Sequence, residues 1–418
     1  MAGSFIYFFL AGTTPSAETI KIGICGDLDN TSGRASWRGA ILAAEEVNAQ
    51  GGVLGRDFEI VAEDDDSESF PMDVGVAINA FTRLITHDKA DYVIASSVGV
   101  ALSYQEICSQ HKKILFTTTD INDVLTERVV EDYDKYRYYF RTGFGNESAA
   151  RAGTLDSILT LRNYTGFNKI GYLYHDFGSS GWNLYVSLLV DSLVENGFEV
   201  AFDAMVPLNV IDFTSYLAAA EAAGVEILTT FIVGSVSIPL VREWCDRQSP
   251  FVLWGVLGDV GTTDVWDMME GKCDSVAAVG YPVTSGYPLT TKTVPTREAY
   301  IERWGESPIS FAAIAYDVVR FVLPDAMRRA GTAEPEALVE TLEKTNVETS
   351  SARCFVFTSS HDTMVGENPN DPEADYMLVC YFQWQDGVQV LVYPQELMEA
   401  TGVTYTFPDW PGPWDNLD

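Results

Sequence analysis

Residues 91–120 read DYVIASSVGVALSYQEICSQHKKILFTTTD. A short apolar run closes on Ser96 and Ser97, a helical stretch follows, and a second apolar run closes on Thr117, Thr118, Thr119 and Asp120. Two parallel strands joined by a helix would finish side by side in clusters of small hydroxyls. In open α/β sheets, ligands sit beyond the carboxyl ends of the strands. Small hydroxyls and free backbone N–H groups hold a carboxylate or an amide without bulk. Helix capping by Ser and Thr accounts for one hydroxyl at each strand end, but not for three in a row. The stretch therefore reads as half of a clamp for a small polar solute.

Upstream, residues 20–26 (IKIGICG) form a β-branched run of the buried parallel-strand type. Residues 39–48 put Ile41, Leu42, Ala44 and Val47 on one helical face and stop at Gly51 and Gly52, a C-cap signal. A strand over residues 58–62 ends in the acids of residues 63–66, and residues 73–86 form another amphipathic helix. This β-α-β-α-β-α-β order predicts a parallel sheet with right-handed crossovers.

Downstream, the Tyr-rich residues 132–142 read as a first crossing to a second unit. Strand and helix then alternate from residue 149 to about residue 281. Helices return over residues 296–304, 310–330 and 334–345. Two alternating runs around Gln385, Asp386 and Gly387 give an antiparallel hairpin.

At 418 residues the chain calls for two domains. With 60 acids against 26 bases, a net charge of −34 repels DNA, RNA and anionic lipid. Residues 1–18 carry an apolar run over residues 5–11 and Ser16-Ala17 before Glu18, the form of an export leader. The run is short and lacks a preceding Lys or Arg, so a tag or frayed terminus is the other reading. No later segment is long and apolar enough to span a membrane.

Six cysteines (Cys25, Cys108, Cys245, Cys273, Cys354, Cys380) include no CxxC pair, and no zinc signature is present. Cys245 with Cys273, flanking one predicted strand, is the preferred disulfide, and buried free thiols are the alternative. No nucleophile elbow, Walker loop or metal-ligating helix occurs, and the four histidines stand apart from any Cys or Ser nucleophile motif. No cofactor, metal or catalytic residue is expected.

Further candidates lie at other strand ends. Asp120 and Asp259 end strands in different units, where a carboxylate suits an ammonium or amide donor. Helix capping or simple solvation is the alternative for both. Residues 175–181 (HDFGSSG) offer Phe177 to stack on a solute, with Ser180 beside it. Trp37 reads as a lid or a core aromatic, and Tyr281 as a cleft or hinge residue.

The layout resembles the type I periplasmic solute-binding proteins, in particular their branched-chain amino-acid (Leu/Ile/Val) branch. The resemblance is carried by Ile20-Lys21-Ile22-Gly23, residues 39–55 (GAILAAEEVNAQGGVLG), the acids of residues 63–66 and Ser96-Ser97. Residues 169–181, Tyr381-Phe382-Gln383-Trp384 with Gly387, and Phe407-Pro408-Asp409-Trp410 extend it, so that it covers nearly the whole chain from Glu18.

The resemblance implies an α/β fold of two Rossmann-like lobes joined by three hinge crossovers, with the ligand cleft between them. Residues 19–141 with 281–376 would form lobe one, and residues 142–280 with 377–418 lobe two. It further implies an extracytoplasmic, monomeric, non-catalytic binder of an amino acid, amide or small carboxylate, partnered by the membrane permease of an ABC transporter. Ser97, Thr118, Thr119 and Asp120 would contact the solute from lobe one, with Phe177, Ser180 and Asp259 from lobe two. Thr117-Thr118-Thr119-Asp120 departs from the family's Pro-Ala-Thr pattern, and the usual aromatic near Ser180 is missing, so leucine is not implied. A ligand-sensing domain of a signalling system is the main alternative, and a hydrolase the enzyme alternative.

Overall fold

The computed structural model describes residues 18–417 apart from residues 69–71, 98, 119, 144, 177–181, 263–264 and 368–374. The export-leader reading of residues 1–18 falls almost wholly outside them. The first sheet comprises β1 (Ile20–Gly26), β2 (Phe58–Asp64), β3 (Tyr92–Ala95), β4 (Ile114–Thr117) and β5 (Tyr139–Arg141) in the order β2-β1-β3-β4-β5, all parallel. Ile22 and Ile24 on one face and Cys25 on the other are completely buried, as a strand covered on both faces requires. One face packs Ile22, Phe116 and Phe140 against Ile314, Val318 and Leu338 from the returning helices. The other packs Val93 and Leu115 against Phe81 and Tyr104.

Two features differ from the sequence reading. The helix after β1, α1 (Thr31–Ala49), starts eight residues before Gly39. Its first turns bury Ser32, Ala35 and Ser36, small side chains that fill a tight interface without an apolar pattern. The Tyr-rich residues 132–142 contain the fifth strand instead of forming the crossing. Tyr139 packs on one face of the sheet and Phe140 on the other, the alternation of a strand buried on both sides. The crossing follows directly, at residues 142–147.

The second sheet runs β14-β13-β10-β9-β8-β6-β7, from β6 (Lys169–His175), β7 (Glu199–Val206), β8 (Ile227–Ile232), β9 (Val252–Leu257), β10 (Ala277–Gly280), β13 (Cys380–Gln385) and β14 (Val388–Tyr393). The β6 to β10 strands pair in parallel, and the β13–β14 hairpin adds antiparallel to β10, as its Gln385-Asp386-Gly387 turn predicts. A two-stranded ribbon, β11 (Asn346–Val347) with β12 (Phe355–Val356), lies outside both sheets.

The helices between residues 282 and 342 pack on the first sheet, so the chain returns there at residues 280–282 and leaves again between residues 366 and 380. With residues 142–147, the described chain passes three times between two α/β lobes. The predicted helix over residues 310–330 is interrupted by a π-helical turn, Val318–Val322, just ahead of Pro324. Proline lacks the N–H and crowds the preceding turn, which a widened turn accommodates.

All six cysteines are free thiols, which corrects the proposed Cys245–Cys273 disulfide. Cys273 is completely buried in the core, whereas Cys245 lies at the margin of a helix that turns Leu240, Val241 and Trp244 inward. The thiol of Cys273 is pushed up to about 12 by that burial.

Candidate functional site

The strand order of each sheet reverses at one point, between β1 and β3 in the first lobe and between β6 and β8 in the second. Such switch points leave a crevice beyond the carboxyl ends of the strands. Ser96 and Ser97 leave β3 at the first of them. The Ser96 N–H donates to Cys25 O (3.0 Å), which continues the sheet by one residue. Ser96 Oγ is buried and makes no hydrogen bond among the described residues. Gly26, at the end of β1, permits this packing: a Cβ there would stand 2.5 Å from Ser96 Oγ.

The Ser97 hydroxyl donates to the Asp65 carboxylate just beyond β2. Asp65 is completely buried and also accepts from Tyr104 Oη (2.9 Å), the Ser67 N–H (3.1 Å) and Cys25 Sγ (3.6 Å). Tyr104 comes from the helix Ala101–His111 and is fixed by a stacked Phe81, with ring centroids 4.0 Å apart. A hydroxyl carries one proton and two lone pairs. With its proton on Asp65, Ser97 Oγ has only lone pairs left to offer.

Register pairs Ala95 with Thr117, so the hydroxyls after β4 stand beside those after β3. Thr117 Oγ1 shares a hydrogen bond with Tyr139 Oη (2.8 Å), and the Thr118 N–H donates to Ala95 O (3.0 Å). Gly143 in the first crossing packs on Thr118, where a Cβ would stand 2.5 Å from the Thr118 carbonyl oxygen. Asp120 is buried, which raises its carboxyl above the usual range against the opposing pull of Asn122 and Arg141. Its Oδ1 accepts the Asn122 N–H (2.9 Å), and Asn122 in turn caps the helix Asp123–Glu131. The second oxygen, Oδ2, takes no hydrogen bond among the described residues. Asp120 is thus part of a capping turn with one acceptor to spare.

Behind this loop lies a residue that sequence reading passed over. Arg141 ends β5 at 1% exposure, donating to Asp120 O (2.5 Å) and Asn122 O (2.8 Å) and pairing with Asp362 (2.7 Å). The available signal was a single cation inside the apolar run YYFRT. Asp65 was legible only as one of several adjacent acids.

In the second lobe, His175 ends β6 completely buried, and its Nδ1 accepts the Val233 N–H (3.3 Å) from beyond β8, across the switch point. Burial depresses the imidazole to about 4, so it is neutral. Phe177 and Ser180 lie outside the described residues, as does Thr119. Asp259 opens a short 3-10 turn after β9 and is raised by burial. Two candidates belong with the first-lobe core: Trp37 packs half-buried against it, and Tyr281, within it and 2% exposed, directs its hydroxyl to Met377 Sδ at 3.8 Å. No metal-binding group of three or more His, Cys, Asp or Glu occurs among the described residues, and no described helix is long and apolar enough to cross a membrane.

A family model described as periplasmic binding protein matches residues 19–366. The chain belongs to the periplasmic binding protein family. Among relatives of this binding protein, the Leu/Ile/Val-binding protein homolog 7 of Brucella melitensis is 22% identical over 402 residues, 92% of this chain and 94% of that protein. The branched-chain amino acid transporter substrate binding protein of Streptococcus pneumoniae, solved with isoleucine, superimposes with a TM-score of 0.71 at 20% identity, covering 89% of this chain and 99% of that one. A solute binding protein of an ABC transporter from R. palustris, solved with benzoate, gives a TM-score of 0.71 at 18% identity over 90% of this chain and 95% of its own. The binding protein shares with both the two-lobed fold.

Proposed function

We propose that this protein captures an amino acid or related small polar solute outside the cytoplasm and delivers it to the membrane permease of an ABC uptake system. The observation that carries this reading is the acceptor pair at the carboxyl ends of β3 and β4: Ser97, its proton held by Asp65, and the open Oδ2 of Asp120. An ammonium or amide N–H suits such a pair, and bonds to a charged partner are the strong kind. A solute carboxylate would meet the start of the helix Ala101–His111, which has no side-chain cap and whose dipole favours an anion. Ser96, Thr118 and Thr119 complete this half of the clamp. Phe177, Ser180 and Asp259 belong to the half contributed by the second lobe, residues 142–280 with 377–418.

Closure of the two lobes about the three crossings would expel water and strengthen each polar contact. No bond of the solute is broken, and the protein is not an enzyme on this reading. One structural relative holds isoleucine and another benzoate, so the solute is assigned by its N–H donor and not by relatives.

A thermal-shift screen tests the proposal. L-amino acids, amides and aromatic acids are offered separately, and bound solute adds about 3 kcal/mol at a hundredfold excess over Kd. The expected result is a shift with one amine- or amide-bearing class and recovery of that compound unchanged. No shift in any class, or conversion of the compound, contradicts the proposal.

A further inference from the structure

We propose that Arg141 is a positioning residue that couples solute contact at Asp120 to movement of the lobes. This inference rests on the reading of Asp120 as a solute contact.

The guanidinium of Arg141 is divided among three partners. Nε faces Asp362 Oδ1 at 2.7 Å, with the two side chains only 1% and 3% exposed. Nη1 and Nη2 hold the carbonyls of Asp120 and Asn122 at 2.5 and 2.8 Å. Its backbone is tied as well, the N–H donating to His361 O (2.9 Å) and the carbonyl accepting from Thr363 Oγ1 (2.7 Å). Three segments therefore meet at one residue: the loop that carries Asp120, the first crossing that begins at Thr142, and the segment at residues 361–363 that leads into the third crossing.

The first crossing is fastened to the same loop a second time. The Glu147 N–H, where the helix Glu147–Thr165 begins, donates to Ile121 O (2.9 Å) and Asp123 Oδ1 (3.0 Å). A displacement of residues 120–123 by a solute is thus passed to the start of the first crossing and, through Arg141, to residues 361–363. Lysine could retain the ion pair with Asp362, but a single ammonium lacks the planar fork that reaches a carboxylate and two carbonyls together. For stability alone an apolar pair of similar volume would serve as well, because burying two charges costs about as much as their attraction returns. The arrangement instead serves to fix the relative position of the three segments.

The test uses the Arg141→Met/Asp362→Leu double variant, which removes the buried pair together and leaves no lone charge, and Arg141→Lys, which retains the charge. Hydrogen exchange is followed in the full chain without solute. Amides at residues 120–124 and 142–147 are expected to exchange about tenfold faster in both variants, while those of β1 and β3 keep their wild-type rates. Binding is then read by calorimetry with L-isoleucine, acetamide and benzoate, alongside Asp120→Ala. For whichever probe binds the wild type, the variants are expected to lose about tenfold in affinity.

Wild-type exchange rates at both segments in Arg141→Lys overturn the proposal, whether or not the double variant folds. So does wild-type affinity in the Arg141 variants where Asp120→Ala binds weakly. Unchanged affinity in Asp120→Ala contradicts the solute contact itself and with it the coupling, leaving Arg141 only the clamping role that exchange measures.

Discussion

Ser97 donates its hydroxyl proton to Asp65, linking the end of β3 to the end of β2 across the intervening β1. This bond decides the polarity of the first-lobe wall. A serine free to rotate could donate to a carboxylate, but one held by a buried carboxylate offers lone pairs instead.

Asp65 should therefore matter for stability as well as for binding. Asp65→Ala removes the acceptor shared by Ser97, Tyr104, Ser67 and Cys25, leaving buried donors unsatisfied. A loss of about 2–4 kcal/mol is expected. Urea denaturation followed by circular dichroism measures it, and a loss below about 1 kcal/mol would show that the network contributes little.

Gly26→Ala tests the close approach at the switch point. The new Cβ would stand 2.5 Å from Ser96 Oγ and 2.9 Å from Gly33 Cα. Overpacking of this kind costs about 1–3 kcal/mol. Adding Ser96→Gly should restore part of that loss, because one of the two obstructions goes. Equal thermal stability of Gly26→Ala and wild type would contradict the packing described.

Half-buried Glu147 near the first crossing and buried His175 at the second-lobe switch point have opposite pH signatures. Burial, with the neighbouring Asp123 charge, raises Glu147 to about 7. The folded state then holds a proton that the unfolded state has released, so stability present at low pH is lost as pH rises through about 7. His175, depressed to about 4 by burial, is the reverse: its contribution is lost as pH falls from about 6.5 towards 4. Relative to wild type, Glu147→Gln should gain melting temperature from about pH 5 to about pH 8, and His175→Asn should gain it in the opposite direction. Thermal melts across that range measure both differences, and a reversed sign in either variant contradicts the assignment.

The fold was legible because burial leaves a pattern. Residues 20–26 and the runs before Ser96 and Thr117 could only be covered strands, and Asp386-Gly387 marked the hairpin. Residues 31–38 and 139–141 were harder. Small residues fill the first turns of α1 without periodicity, and a three-residue strand with apolar side chains on both faces shows no alternation of apolar with polar. Strand ends were legible as places, which is why Ser96, Ser97, Thr118 and Asp120 were named. Their partners were not, because Asp65 and Arg141 reach them through tertiary contacts 32 and 21 residues away. The surroundings of Trp37 and Tyr281 were not legible for the same reason: they are set by helices returning from residue 282 onwards, which no local pattern announces.

On the proposed function, the ends of β3 and β4 hold the solute. Isothermal titration of wild type, Ser97→Ala and Asp120→Ala with the compound identified by thermal shift tests it most directly. Each lost bond to a charged group is worth about 1.5–3 kcal/mol, so Asp120→Ala should bind at least about tenfold more weakly. Ser97→Ala should also bind more weakly, with both variants folded by circular dichroism. Wild-type affinity in both would contradict the account.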